Sequence, residues 1–251
     1  MNPSTPTDTL IALLTDPHWS IRFTIVDNPT AGLAVRRAMC GCGDKDVRGV
    51  LAQRPGLQPE IVKLLLRDPS GEVRRILAEC TDDPTALRAL LADPEPRVRA
   101  AAGMNAHTTA EQRRRMVQDP SWEVRSAVVA AKSINGWDLP EEDLLTLARD
   151  LSVNVRYHLA NLSGATRAVY DILADDSDEM VARNACAWLL PPDDPEYPGN
   201  RTADGGLLAG LMQQGHFGSP DYLGRPIPEF PTEAIEELER RTLDMTDPQD
   251  P

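Results

Sequence analysis

Four cysteines and four histidines are the residues of this sequence that could hold a metal or carry redox chemistry. Cys40 and Cys42 form a C-G-C, while Cys80 and Cys186 stand alone, and His18, His107, His158 and His216 are not grouped near any of them. No C-x2-C faces a second one, the spacing a zinc site needs. The cysteines are therefore read as buried free thiols, with no metal and no cofactor. Acidic pairs such as Asp82-Asp83, Glu141-Glu142 and Asp175-Asp176 fall at predicted helix starts, where carboxylates favour the dipole rather than general acid–base work. There is no G-x-S-x-G, no Walker loop and no H-E-x-x-H. No catalytic residue is assigned.

The chemistry that remains is arginine chemistry. A seven-residue phrase recurs: "DPHWSIR" at 16–22, "DPSGEVR" at 68–74, "DPEPRVR" at 93–99, "DPSWEVR" at 119–125 and "DLSVNVR" at 150–156. Its closing arginines are Arg22, Arg48, Arg74, Arg99, Arg125 and Arg156, spaced by 26, 26, 25, 26 and 31 residues. In a seventh copy, "DSDEMVA", Ala182 replaces the arginine. A planar, always charged guanidinium suits carboxylates, loop carbonyls and phosphates. Two readings follow: a structural ladder joining these arginines to Asp16, Asp68, Asp93, Asp119 and Asp150, or an arginine row for phosphates. The ladder is preferred.

A fixed period near 26 residues marks stacked helical units. In each unit Asp is expected as N-cap and Pro as first helical residue, where its missing N–H costs nothing. A short helix with apolar residues at helical spacing follows (Val124, Ala127, Val128 and Ala131 in the fifth unit). A breaker ("DNPT", "RPGL", "DDPT", "NAHT", "LSGA") and a second helix lead to the next phrase. The long fifth step is an insertion, "KSINGWDLP". Neither short helix can bury its apolar side alone, so stacking is expected to make one continuous core. The fold predicted is all-α, a right-handed α-solenoid of about seven two-helix repeats over 10–190. Residues 1–9 form an N-terminal extension. At ordinary helix spacings seven layers make a rod of roughly 55–70 Å.

At this point the chain resembles a known family. The pattern L-x-x-DP-x-x-x-VR-x-x-[LVA]-A over 60–100 and 111–131 resembles the variant leucine-rich repeat, a relative of HEAT and armadillo repeats. The resemblance covers about 180 of the 251 residues. It implies an all-α superhelix in which one helix of each pair is short or 3₁₀, in a bacterial protein. One member of that family is associated with an N-terminal cysteine-rich iron–sulfur segment. The sequence before the first repeat has no cysteine, so that cofactor is not carried over.

Composition is that of a folded soluble protein, 41% hydrophobic and 26% charged, with only 4% aromatics. Only Lys45, Lys63 and Lys132 are lysines among 26 basic residues, the bias of a GC-rich bacterial genome. No segment reaches the ~20 apolar residues of a membrane span, and the N-terminus has no signal-peptide pattern. A cytoplasmic protein is expected. Net charge is −13, and it is unevenly placed. Residues 1–190 hold 22 basic against 26 acidic side chains, residues 191–251 hold 4 against 13.

Residues 191–251 are read as a Pro/Gly-rich acidic segment with a helix near 232–245. The segment either aids solubility or docks its apolar spots on the last repeat (Leu207, Leu208, Leu211 and Met212) or on another protein. Candidate binding residues in the repeats are Trp19 and Trp122, at one phase of their units, and the basic clusters Arg36-Arg37 and Arg113-Arg114-Arg115. They fit a protein or peptide partner, with the chain as a non-catalytic scaffold. The alternative is nucleic-acid binding, or a DNA glycosylase-like helical repeat whose basic groove the acidic tail restrains. An acidic solenoid argues against it, because non-specific DNA affinity comes from phosphate neutralisation.

Overall fold

The computed structural model describes residues 5–28, 31–194 and 196–198. Fourteen α-helices and one 3₁₀ turn run along it, with no strand among the described residues. They form seven consecutive pairs. The first is α1 (Thr7–Ala12), continued by the 3₁₀ turn Leu13–Thr15, with α2 (Trp19–Val26). Then come α3 (Leu33–Cys40) with α4 (Lys45–Ala52), and α5 (Pro59–Leu65) with α6 (Gly71–Cys80). The middle pairs are α7 (Pro84–Leu90) with α8 (Pro96–Met104), and α9 (Ala110–Met116) with α10 (Trp122–Asn135). The last are α11 (Glu141–Ala148) with α12 (Val153–Ala160), and α13 (Arg167–Ala174) with α14 (Glu179–Leu189). No helix of the described residues is long and apolar enough to cross a membrane.

Helix starts follow local chemistry. Pro59 and Pro84 open α5 and α7, where a missing N–H is harmless, and Asp83 caps α7 by accepting the Thr85 N–H. Thr109 and Gln112 form a reciprocal capping box on α9. The repeated Asp-Pro behaves differently, and the expected cap register is corrected. The caps of α2, α6, α8, α10 and α12 are His18, Ser70, Glu95, Ser121 and Ser152, two residues after the aspartate. Each aspartate instead accepts the N–H of that cap residue, at 2.8–2.9 Å. The side chain thus closes a turn ahead of the helix. That placement leaves carboxylate oxygen for a second partner.

The second helices pack each on the next without interruption, from α2 through α4, α6, α8, α10 and α12 to α14. Among the first helices, α1 packs on α3, α3 on α5, and α11 on α13. The buried apolar side chains fall into two clusters rather than the single continuous core expected. One runs from Leu10 to Ala102 and the other from Met116 to Ala185, with Leu91 half-buried against both. Where α8 packs on α10, the buried residues include small ones, Ala101 and Ala102 on α8 and Ala127 and Ala131 on α10. A Cβ added at Gly103 would come within 2.0 Å of the Met116 Cε.

Just beyond this joint, buried Asn105 ties two units together. Its Nδ2 donates to the carbonyls of Ala78 (2.8 Å), Glu79 (3.2 Å) and Thr81 (2.9 Å), and its Oδ1 accepts the His107 N–H. One amide therefore satisfies the orphan carbonyls at the end of α6. Asn105→Ala is expected to cost roughly 2–3 kcal/mol, because buried acceptors lose their donor. Urea unfolding would read it as a lower midpoint, and an unchanged midpoint would mean water substitutes freely.

After α14 the chain brings Tyr197 back to the last described pair. Trp188 stacks on Tyr170 (centroids 5.8 Å apart, planes at 16°), and Tyr197 meets Trp188 edge-on at 5.8 Å. An open terminal layer is a liability in stacked repeats, and these rings cover part of it. Leu207, Leu208, Leu211, Met212 and the helix expected near 232–245 lie outside the described residues.

Candidate functional site

The six arginines of the phrase make one regular set of contacts. Each belongs to a second helix and reaches forward to a carboxylate of the following unit. The pairs are Arg22–Asp44 (2.7 Å), Arg48–Asp68 (2.6 Å), Arg74–Asp93 (2.7 Å), Arg99–Asp119 (2.8 Å), Arg125–Asp150 (2.5 Å) and Arg156–Asp176 (2.6 Å). Five of the six donate from both Nε and Nη2 to the two oxygens of one carboxylate, the fork-on-fork geometry only arginine offers. Nη1 then donates backward to the backbone carbonyl six residues earlier. That carbonyl belongs to Asp16, Cys42, Asp68, Asp93, Asp119 or Asp150. Every guanidinium is thereby clamped between two turns of adjacent units.

Two members of this ladder are absent from the sequence reading. In the second unit "GCGD" replaces Asp-Pro, and Asp44, the cap of α4, takes the role from two positions further on while still accepting the Asp46 N–H. In the seventh unit Asp176 receives Arg156, although that unit has Ala182 at its own arginine position. Asp16 accepts only the His18 N–H with its carboxylate, because no repeat precedes it among the described residues. Arg74 has a further acceptor in Glu95, at 3.0 Å.

Burial grades along the ladder. Arg48 and Asp68 keep 8% and 3% of their side-chain surface exposed, while Arg22 and Asp44 keep 20% and 19%. The electrostatics follow the contacts. Burial pushes the Asp44 and Asp150 carboxyls up, but hydrogen bonds from Arg22 and Arg125 and from backbone N–H groups outweigh it, so both titrate below the usual range. For Asp176 the hydrogen bond from Arg156 dominates and lowers it outright.

The candidate binding arginines sit on first helices and are also occupied. Arg36 donates to Gln58 at 3.1 Å and Arg37 pairs with Glu60, so α3 is laced to α5. Arg114 pairs with Glu142 and, at 3.0 Å, with Asp143, lacing α9 to α11. Arg115 bonds Glu111 of its own helix at 3.3 Å. Arg113 lies over the Trp137 ring at 3.5 Å and donates to the Thr108 carbonyl, and burial lowers its pKa. The two clusters belong to the second and fifth units and do not form one patch.

The tryptophans part company. Both are the first residue of a second helix, but Trp122 is half-buried against the second core cluster while Trp19 is 55% exposed, touching Phe23 edge-on at 5.6 Å. Trp19 belongs to the first pair of the described residues. The expected buried thiols are corrected as well. Cys80 and Cys186 are exposed, since they lie near the ends of α6 and α14, and Cys40 and Cys42 are half-buried. Burial pushes the Cys40 thiol up to about 11 and raises Cys42, which keeps both protonated and poorly nucleophilic at neutral pH. Among the described residues no three His, Cys, Asp or Glu side chains gather as a metal site. Buried Ser126 and His158 are hydrogen-bonded to each other between α10 and α12.

A solved structure described as a leucine-rich repeat variant with a novel repetitive protein structural motif is similar to this chain. Identity is 25%, the TM-score is 0.53, and the match covers 76% of this chain and 78% of that one. The chain has the leucine-rich repeat variant fold. No family model and no curated protein matches the sequence. In this chain the Asp-Pro and Val-Arg of the repeat are two halves of one joint, completed only when the next unit is in place.

Proposed function

We propose that the protein is a non-catalytic scaffold that binds a protein or peptide, in a bacterial cytoplasm. The observation that carries this reading is the commitment of the ladder arginines and of the candidate binding arginines. Each ladder arginine is held by a carboxylate, and Arg36, Arg37, Arg113, Arg114 and Arg115 are held by Gln58, Glu60, Thr108 with Trp137, Glu142 with Asp143, and Glu111. A phosphate backbone would have to displace these partners one by one, and an acidic chain gains little from counterion release. Apolar groups are left uncovered instead. Leu151 occupies the proline position of its repeat and is 99% exposed, and Trp19, Val153 and Met180 are exposed near the starts of their second helices. Aromatic and apolar anchors on a rigid surface are what protein interfaces use, and they need no net positive charge.

The test has two arms on the full-length chain. Gel shifts with duplex DNA across a salt series are expected to show no complex at physiological salt. Tight binding that falls with a slope near −0.9 per phosphate contacted would replace the scaffold reading with the nucleic-acid one. Selection from a displayed peptide library is expected to return related sequences whose binding weakens on Trp19→Ala or Leu151→Ser. Unrelated sequences, indifferent to both substitutions, would remove the support these side chains give.

A further inference from the structure

Every ladder joint has a donor half and an acceptor half, and one acceptor half stands without its donor among the described residues. At Asp68, Asp93, Asp119 and Asp150 the carboxylate Oδ1 accepts the N–H two residues on, while Oδ2 meets the Nε of an arginine from the unit before. Asp16 is built alike. Its Oδ1 accepts the His18 N–H at 2.8 Å, and its backbone carbonyl accepts from Arg22 Nη1 at 2.6 Å, as Asp68 does from Arg74 and Asp119 from Arg125. Its Oδ2 meets no arginine among the described residues. We infer that this turn, with exposed Trp19 three residues on, receives an arginine and its apolar neighbour from a helix of a partner protein. The inference rests on the peptide-binding reading above and names the chemistry of the partner.

Three observations select the occupant. The Asp16 turn is held in the ladder geometry by His18 and Arg22 before any ligand arrives, so an arginine fork meets a carboxylate that need not reorganise. The fifth unit shows the equivalent site filled. Its phrase "DPSWEVR" matches "DPHWSIR" at the aspartate, the proline, the tryptophan and the arginine. There Arg99 of α8, preceded by buried Val98, takes both Asp119 oxygens at 2.8 Å, and Trp122 is half-buried. In the first unit the matching Trp19 leaves its apolar surface exposed. The third observation excludes a second copy stacked end to end, since Ala182 stands at the arginine position of the seventh unit. The donor half therefore comes from a different chain, one that carries Val or Ile followed by arginine on a helix.

The experiment uses the full chain and a synthetic peptide of residues 93–104, "DPEPRVRAAAGM", acetylated and amidated. This peptide is the donor half of the Arg99–Asp119 joint, and Asp119 itself is already filled within the chain. NMR at the indole N–H groups reads binding, with Trp19→Phe assigning the Trp19 signal. The expected result is saturable movement of that signal at millimolar peptide. The same peptide carrying Arg99→Ala is expected to bind about tenfold more weakly, the worth of a charged hydrogen bond. Asp16→Asn in the chain is expected to weaken the unaltered peptide to a similar degree. Asparagine keeps an Oδ1 for the His18 N–H, so the turn survives while the charge is lost. No movement of the Trp19 signal, or movement indifferent to both substitutions, would overturn the inference. A library selection returning peptides without arginine, bound independently of Asp16, would spare the scaffold reading and fail this site. An empty selection with a positive titration of the 93–104 peptide would do the opposite.

Discussion

Arg48→Ala and Arg74→Ala are each expected to cost about 3–5 kcal/mol, the cost of removing one partner from a buried ion pair. The loss has two parts. Asp68 or Asp93 keeps a buried charge without its counter-ion, and the Cys42 or Asp68 carbonyl loses a donor at 2.7–2.8 Å. Arg22→Ala is expected to cost less, about 1–2 kcal/mol, because its pair is more exposed and water can replace the guanidinium. Lysine keeps the charge but lacks the planar fork that meets both Asp68 oxygens while reaching back to the Cys42 carbonyl, so Arg48→Lys should fall between alanine and wild type. Replacing both partners, as Arg48→Met with Asp68→Leu, should recover much of the loss. Stacked repeats can unfold unit by unit, so hydrogen exchange along the chain should accompany urea melts. An Arg48→Ala protein within about 0.5 kcal/mol of wild type, the range of ordinary surface substitutions, would mean the ladder is decoration. The gradient Arg48, Arg22 distinguishes burial from mere pairing.

The same joint shows what was legible in the sequence. A 26-residue phase with Val or Ile before arginine is a statement about one helix face, and periodicity carries such statements well. The forward direction of the pairing was not readable, because it depends on where the aspartate sits relative to the helix start. The Asp-Pro rule puts the cap at Asp68, whereas the chain makes one more turn and caps at Ser70. That shift of two residues frees the carboxylate for Arg48. It also explains Asp44: a carboxylate at the cap position lies close enough to replace one two residues earlier, so loss of Asp-Pro in the second unit does not break the ladder. Asp176 was hidden by the missing arginine at 182, although its acceptor half was intact. Tyr197 falls in the segment read as Pro/Gly-rich and acidic, and Trp188 just precedes it. Their signal was a pair of aromatics in a chain otherwise poor in them, and only the fold brings both to Tyr170.

Acidification is expected to loosen the whole stack, and the sign follows from the ladder carboxylates. Asp44, Asp150 and Asp176 titrate below their ordinary range when folded, as does Glu72 beside Arg75. A group with a depressed folded pKa contributes stability that is complete above its unfolded pKa, near 4. That stability is lost as pH falls through the folded value. Stability should therefore be nearly level from pH 7 to about 5 and drop steeply below about 4. Glu79 works in the opposite sense, since burial raises its pKa despite Arg75, and it softens the slope without reversing it. Urea unfolding at a series of pH values measures the curve. Replacing Arg22, Arg125 and Arg156 together with glutamine removes the donors that depress Asp44, Asp150 and Asp176. The triple variant should be less stable at pH 7 and lose less on acidification, so the two curves converge at low pH. Parallel curves would place the acid sensitivity elsewhere, in general charge repulsion among the remaining arginines. Convergence would tie it to the joints between units, where protonating one carboxylate releases the arginine of the unit before it.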